Sequence, residues 1–220
     1  MSERVPLFRG LKQPQFVAYQ LGKEEEVVGL WKPVVWLTLA SIIIAGISAF
    51  FGIGSEYVSR SLPDLTRSGY EAYQTLFAAG QVTWGLIWIL LAIFIPSLFF
   101  WTILEVDYRK LLFVQLIITM IFLIEKLVFI PVHLFLGISA ESNIFSLGII
   151  AQTFTSIELI IFLLANITLF KVWAIILTYK YYRHISERSP RFIIWTLIGF
   201  YLFVAVISSL LSYIKFENII

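Results

Sequence analysis

Glu125 and Lys126 stand side by side in FLIEKLVF, residues 122–129, inside an apolar run otherwise suited to lipid. An unpaired charge at mid-bilayer is expensive, so an adjacent carboxylate and ammonium demand partners, a bound proton or water. A later apolar run supplies Gln152, Thr155, Ser156, Glu158 and Asn166. Two chemistries fit these groups. One is a buried ion pair that fixes helix register; the other is a proton- or cation-responsive site on a conduction or coupling path.

Helical spacing gathers the first set. Gln115, Thr119, Lys126 and His133 recur at intervals of four, seven and seven, within about 40° of one another on a helical wheel. The second set clusters similarly, with Glu158 at its border, so the two helices are expected to hide their polar faces against each other or against a cavity. Glu125 and Glu158 each lie about eleven residues from the outer end of their runs. Antiparallel neighbours joined by the short GISAESNIFS connection would set them at one depth, with Lys126 facing Glu158 and Glu125 taking another donor or a proton. The candidate intramembrane polar site is therefore Glu125, Lys126, His133, Gln152, Glu158 and Asn166.

The elements that must position these residues are transmembrane helices. Of 220 residues, 60% are hydrophobic and only 14% charged, far from the balance of a soluble domain. Apolar runs long enough to cross a ~30 Å hydrocarbon core recur along the chain. Five spans are expected, near 34–54, 82–104, 111–136, 147–178 and 191–214, which makes an all-α, polytopic transmembrane bundle. Residues 1–33 then form a cytoplasmic N-terminal segment and 34–220 the membrane domain. The segment MSERVPLFRGLKQPQF is polar and precedes no apolar run before residue 27, so insertion is expected to rely on the mature helices.

Small residues mark packing faces: Thr38, Ser41, Ala45, Ser48 and Gly52 in the first span, and Ala205, Ser208 and Ser212 in the fifth. Pro96 and Pro131 are expected kink points. Between the first two spans, Leu62-Pro63-Asp64 signals a turn, followed by a short amphipathic helix through Tyr70, Tyr73 and Phe77 at headgroup level.

Lys and Arg are distributed unevenly. With the N-terminus cytoplasmic, that side holds Arg4, Arg9, Lys12, Lys23, Lys32, Arg109, Lys110, Lys171, Lys180, Arg183, Arg188 and Arg191. The other side holds Arg60, Arg67 and Lys215, with Lys126 in the bilayer. The positive-inside rule then predicts a multi-pass cell-membrane protein with its N-terminus inside and its C-terminus outside. Lys180, Arg183, Arg188 and Arg191 form a candidate cytoplasmic basic surface, facing anionic headgroups or an acidic partner.

Several activities lack their residues. The chain has no cysteine and only two histidines, His133 and His184, so neither thiolate chemistry nor a zinc site of ordinary ligand count is expected, and no cofactor is implied. The formal charge of +2 is too small to suggest nucleic-acid binding. G-x-S-x-G, H-E-x-x-H and phosphate-binding glycine loops do not occur. Phe129 and His133 form F-x-x-x-H, which resembles one motif of membrane-embedded CAAX-type proteases, but that family's paired-glutamate motif with its downstream arginine has no counterpart: Glu25 and Glu26 lead into VVGLWK.

The segment ANITLFKVWAIILTYKYYRHISERSPRFIIWTLIGFYLFVAV, residues 165–206, resembles the fourth-to-fifth helix region of Yip-domain membrane proteins: an apolar helix with an internal Trp173, the basic turn KYYRHISERSPR, then another apolar helix. The aromatic and glycine-rich signature of eukaryotic members, such as DLYGPFW, is absent. With no cysteine and a short N-terminal segment, the chain looks more like the bacterial type. It implies a non-enzymatic adaptor or accessory protein in export, membrane organisation or stress protection, in contact with the lipid bilayer, with ABC-exporter subunits or with itself. The alternative is a small proton- or cation-coupled transporter or channel using Glu125, Lys126 and Glu158.

Overall fold

The computed structural model describes residues 7–24, 27–55, 67–137 and 143–213. Every regular element among them is helical: α1 (Leu7–Lys12), α2 (Pro14–Lys23), α3 (Trp31–Phe50), α4 (Arg67–Leu104), α5 (Tyr108–Leu136), α6 (Gly148–Phe154), α7 (Glu158–Ala165), α8 (Leu169–Ile185) and α9 (Pro190–Tyr213). Four of these, α3, α4, α5 and α9, are long and apolar enough to cross a membrane. The turn expected at Leu62-Pro63-Asp64 lies outside the described residues.

Helix α5 is the centre of the bundle. Leu111, Val114, Leu116, Ile117, Ile118 and Ile121 along it are fully buried, and α1, α3, α4 and α8 all pack on it. Its start is capped by Asp107, whose carboxylate accepts from the Arg109 N–H at 2.6 Å. Its end is closed by Gly137 in the left-handed conformation, with its N–H bonded to the His133 carbonyl. Asp107→Ala is expected to cost about 1 kcal/mol of stability, the usual effect of losing an N-cap; an unchanged thermal midpoint would show the cap to be dispensable.

The first small-residue stripe packs as its spacing implies. The Ser41 hydroxyl donates to the Gly85 carbonyl at 2.8 Å, and a Cβ on Gly85 would lie 2.8 Å from the Cβ of Ala45, so α3 and α4 cross with backbones nearly touching. In α9 the register differs by one residue. Ser209, rather than Ser208 or Ser212, is fully buried, because α9 turns that position towards α7.

Helix α4 is longer than its apolar core. The expected separate amphipathic helix through Tyr70, Tyr73 and Phe77 is instead the first part of α4. Nothing from Arg67 to Gln81 interrupts the backbone ladder, and Gly69 and Gly80 are tolerated within it. At 1.5 Å per residue its 38 residues extend about 57 Å, well beyond a ~30 Å hydrocarbon core.

The run 147–178 is not one helix. It is divided into α6, α7 and the first part of α8, with extended backbone at Thr155, Ile157 and Thr168. Short polar side chains make both breaks. Thr155 Oγ1 accepts from the Ile157 N–H at 3.2 Å, and Thr168 Oγ1 accepts from the Lys171 N–H at 3.1 Å, so each hydroxyl takes a backbone donor that a continuous helix would have used.

Helices α6 and α7 form a hairpin. Its base is tied by the Leu147 N–H to the Ile167 carbonyl at 3.0 Å and the Leu169 N–H to the Phe145 carbonyl at 2.9 Å. Gly148 lies so close to Ala165 that a Cβ on it would be 2.9 Å from the Ala165 Cα. The tip is exposed at Phe154, Ser156 and Ile157.

Helix α8 then runs antiparallel to α5, with Gln115 bonded to the Tyr182 hydroxyl at 2.8 Å. The α8–α9 turn meets the α4–α5 turn through an ion pair between Arg188 and Glu105 at 2.5 Å. Glu105 holds a left-handed φ of 55° there. Helices α1 and α2 dock at the same end: Tyr181 donates to the Gly10 carbonyl, and Val17, Ala18 and Leu21 are fully buried. Residues 7–24 thus share one core with the bundle.

Candidate functional site

The hairpin base carries a cluster of polar side chains from several helices. Asn143 donates to Glu125 Oε1 at 3.4 Å, and the Thr168 side chain also bonds Glu125. Lys171, in the first turn of α8, acts on Glu125 as an opposite charge, and its Nζ donates to Asn166 Oδ1 at 3.0 Å. Asn166 in turn donates to Ser209 Oγ at 3.3 Å and to the Phe162 carbonyl at 3.0 Å, while Ser209 donates to the Ala205 carbonyl. One chain of contacts therefore connects α5, both strands of the hairpin base, α8 and α9.

The local sequence explains why these groups meet. Thr168 caps α8, which projects Lys171 one turn later towards the hairpin base. A cation in the first turn of a helix opposes the positive end of the helix dipole, so Lys171 depends on the Glu125 carboxylate and the Asn166 oxygen. The Thr168 hydroxyl both accepts from the Lys171 N–H and serves Glu125, a use of both its hydrogen-bonding roles.

Lys126 turns elsewhere. Its ammonium lies 3.5 Å from the centroid of the Trp88 ring on α4, a cation–π contact, with Glu125 as its charge neighbour. The sequence-based pairing of Lys126 with Glu158 is thus replaced. Glu158 begins α7 at the exposed hairpin tip, in the first turn where the dipole favours a carboxylate. A continuous fourth helix would have brought it beside Lys126; the break at Thr155–Ile157 moves it away.

The remaining sequence-predicted residues separate along the same lines. Asn166 joins Glu125 through Lys171, whereas Gln152 is exposed towards the hairpin tip. His133 lies two turns beyond Glu125, with its ring 6.2 Å from that of Phe129. Thr119 is fully buried with its hydroxyl unpartnered, and Gln115 serves Tyr182. The stripe on α5 is therefore shared among several neighbours.

Sequence reasoning missed Lys171, Asn143, Thr168, Ser209 and Trp88. The positive-inside tally counts Lys171 on the N-terminal side, but it sits at the depth of Glu125, a helix length from the α8–α9 turn. The signal that could have found it is NIT at 166–168, a polar interruption with an N-cap residue three positions before a lysine.

At the end that gathers the α4–α5 and α8–α9 turns, the predicted basic surface divides. Arg188 is engaged with Glu105, Arg183 and Arg191 are exposed, and Lys180 lines a cleft against α2. Arg109, Lys110, Lys23 and Lys32 flank the same end.

The chain matches no family model, no curated protein and no solved structure. Its class rests on the fold: a helical, multi-pass membrane protein with four apolar helices of spanning length and a broken helical hairpin tied to a half-buried polar network.

Proposed function

We propose that this protein is a non-enzymatic membrane adaptor or accessory subunit of bacterial Yip-domain type, associated with an export complex such as an ABC exporter. The observation that carries the reading is the packing of α5. Its apolar positions from Leu111 to Leu123 are almost all buried in a continuous core, and Gln115 and Lys126 are taken up by Tyr182 and Trp88 on neighbouring helices, which is the construction of a scaffold. The docked α1–α2 pair and the basic turns beside it form a folded platform at one end for a partner.

In this reading the chain crosses the membrane five times, N-terminus inside and C-terminus outside, with the hairpin and α8 together making the fourth passage. Support comes from the basic residues gathered at the end that holds α1, α2 and the two turns. The chain contains no cysteine, so single thiols test it without background. Gln74→Cys should react with an impermeant reagent added outside intact cells and Glu187→Cys should not; the reverse pattern inverts the topology.

A second reading, coupled transport, is favoured by one observation. Unwound backbone at Thr168 adjoins Glu125 and Lys171, and interrupted helices beside intramembrane charges are how many transporter sites are built. Its constellation is Glu125, Lys171 and Asn166, in place of Glu125, Lys126 and Glu158. Purification in mild detergent with exporter subunits in fixed stoichiometry, and liposomes that stay silent under a proton gradient, are the results expected of the adaptor. A proton-driven flux abolished by Glu125→Gln would replace it with the transporter.

A further inference from the structure

A cleft of about 540 Å³ opens between the start of α2 and the flank of α8, lined by Lys12, Gln13, Pro14, Gln15, Phe16 and Lys180. Both lysines are exposed and neither is engaged by the polar network at the hairpin base. We propose that this cleft binds the phosphate of an anionic phospholipid headgroup. Two ammonium groups from separate helices supply the charge, and the Gln13 and Gln15 amides can donate to phosphate oxygens.

Three features make the source a membrane lipid. The first is depth. Gly10 packs on the Ile117 side chain, nine residues inside α5, about 13 Å along its axis from Tyr108, so α1 lies against the flank of the bundle where headgroups meet the outermost acyl carbons. The second is composition. Phe8, Phe16 and Tyr19 are exposed among Arg9, Lys12 and Lys23, the make-up of helices that lie in a membrane surface.

The third is the coupling of the two residue types. Arg9 lies 4.6 Å from the Phe16 ring centroid and Lys23 lies 4.3 Å from that of Tyr19, so each cation is held over an aromatic that faces outwards. An acyl chain beneath the bound headgroup would cover Phe8 and Phe16. A site built for soluble phosphate has no use for that exposed aromatic surface. This lipid site goes beyond the adaptor reading and does not depend on it.

The test uses the full chain in neutral detergent, with dioleoyl phosphatidylglycerol, dioleoyl phosphatidylcholine and inorganic phosphate as probes, read by native mass spectrometry and by the shift in thermal midpoint. Phosphatidylglycerol should remain bound and raise the midpoint; phosphatidylcholine and inorganic phosphate should not. Lys12→Gln with Lys180→Gln should weaken phosphatidylglycerol binding about thirtyfold, whereas Lys32→Gln, a cation at the same end outside the cleft, should leave it unchanged. Both cleft lysines are exposed, so the lipid-free midpoint should hold. If the double variant fails to fold, Lys180→Gln alone should show a loss of about fivefold. Equal losses in the cleft and Lys32 variants would reduce the effect to diffuse charge, and inorganic phosphate matching the lipid would make this a soluble-anion site; either result overturns the proposal.

Discussion

Lys171→Met is expected to destabilise the detergent-solubilised protein by about 1–3 kcal/mol, because it removes the opposite charge near the half-buried Glu125 carboxylate and the donor to the Asn166 oxygen. Glu125→Gln should cost a comparable amount, because Lys171 then sits at a helix N-terminus with only the Asn166 oxygen to oppose its charge. The double variant should recover much of that loss, giving a coupling energy of about 1–3 kcal/mol in a double-mutant cycle. Additive losses would mean that Glu125 and Lys171 do not act as a pair. The same cycle on Lys126→Met and Glu158→Gln should show no coupling, since the Lys126 ammonium rests on Trp88 and Glu158 is at the hairpin tip. A large coupling there would restore the continuous fourth helix.

Gly148→Leu should open the hairpin. Even a methyl group at this position would meet the Ala165 Cβ at 2.7 Å and its Cα at 2.9 Å, and backbone cannot yield as a flexible side chain can. Overpacking in a tight contact costs about 1–3 kcal/mol where side chains can adjust; here the separation of α6 and α7 should put the loss at or above the top of that range. It would also pull apart the hydrogen bonds between residues 145–147 and 167–169. Amide exchange at Leu147 and Leu169 should therefore rise sharply while the core of α5 stays protected. Uniform acceleration across the bundle would show that the hairpin is an inseparable part of the folding unit, and an unchanged pattern would show that α6 and α7 are not in contact.

The small-residue faces divide the same way between what pattern shows and what contact decides. The α3 stripe was legible because Ser41 and Ala45 lie on one face and Gly85 offers a partner with no side chain. In α9 the serines at 208, 209 and 212 are nearly equivalent to a reader of spacing. Only the position of Asn166 selects Ser209, because its amide reaches that hydroxyl and no other on the helix.

By itself the sequence determined the solvent and the helices. Runs of apolar residues at spanning length leave no option but lipid, and lipid requires backbone groups to be paired within helices, so α3, α5 and α9 and the inner part of α4 follow from composition and length alone. It also determined that Glu125 needs a partner. Which partner was decided by tertiary structure, because the residues 147–178 are as apolar as a continuous span and the two breaks depend on hydroxyls whose capping is favoured only when the hairpin packs. Thr168 caps the start of α8, which brings Lys171 near Glu125, and the break at Thr155–Ile157 carries Glu158 away. Hydrophobicity is summed over a whole segment and survives any rearrangement of it, whereas two charges act on each other only where every turn of backbone between them brings them near.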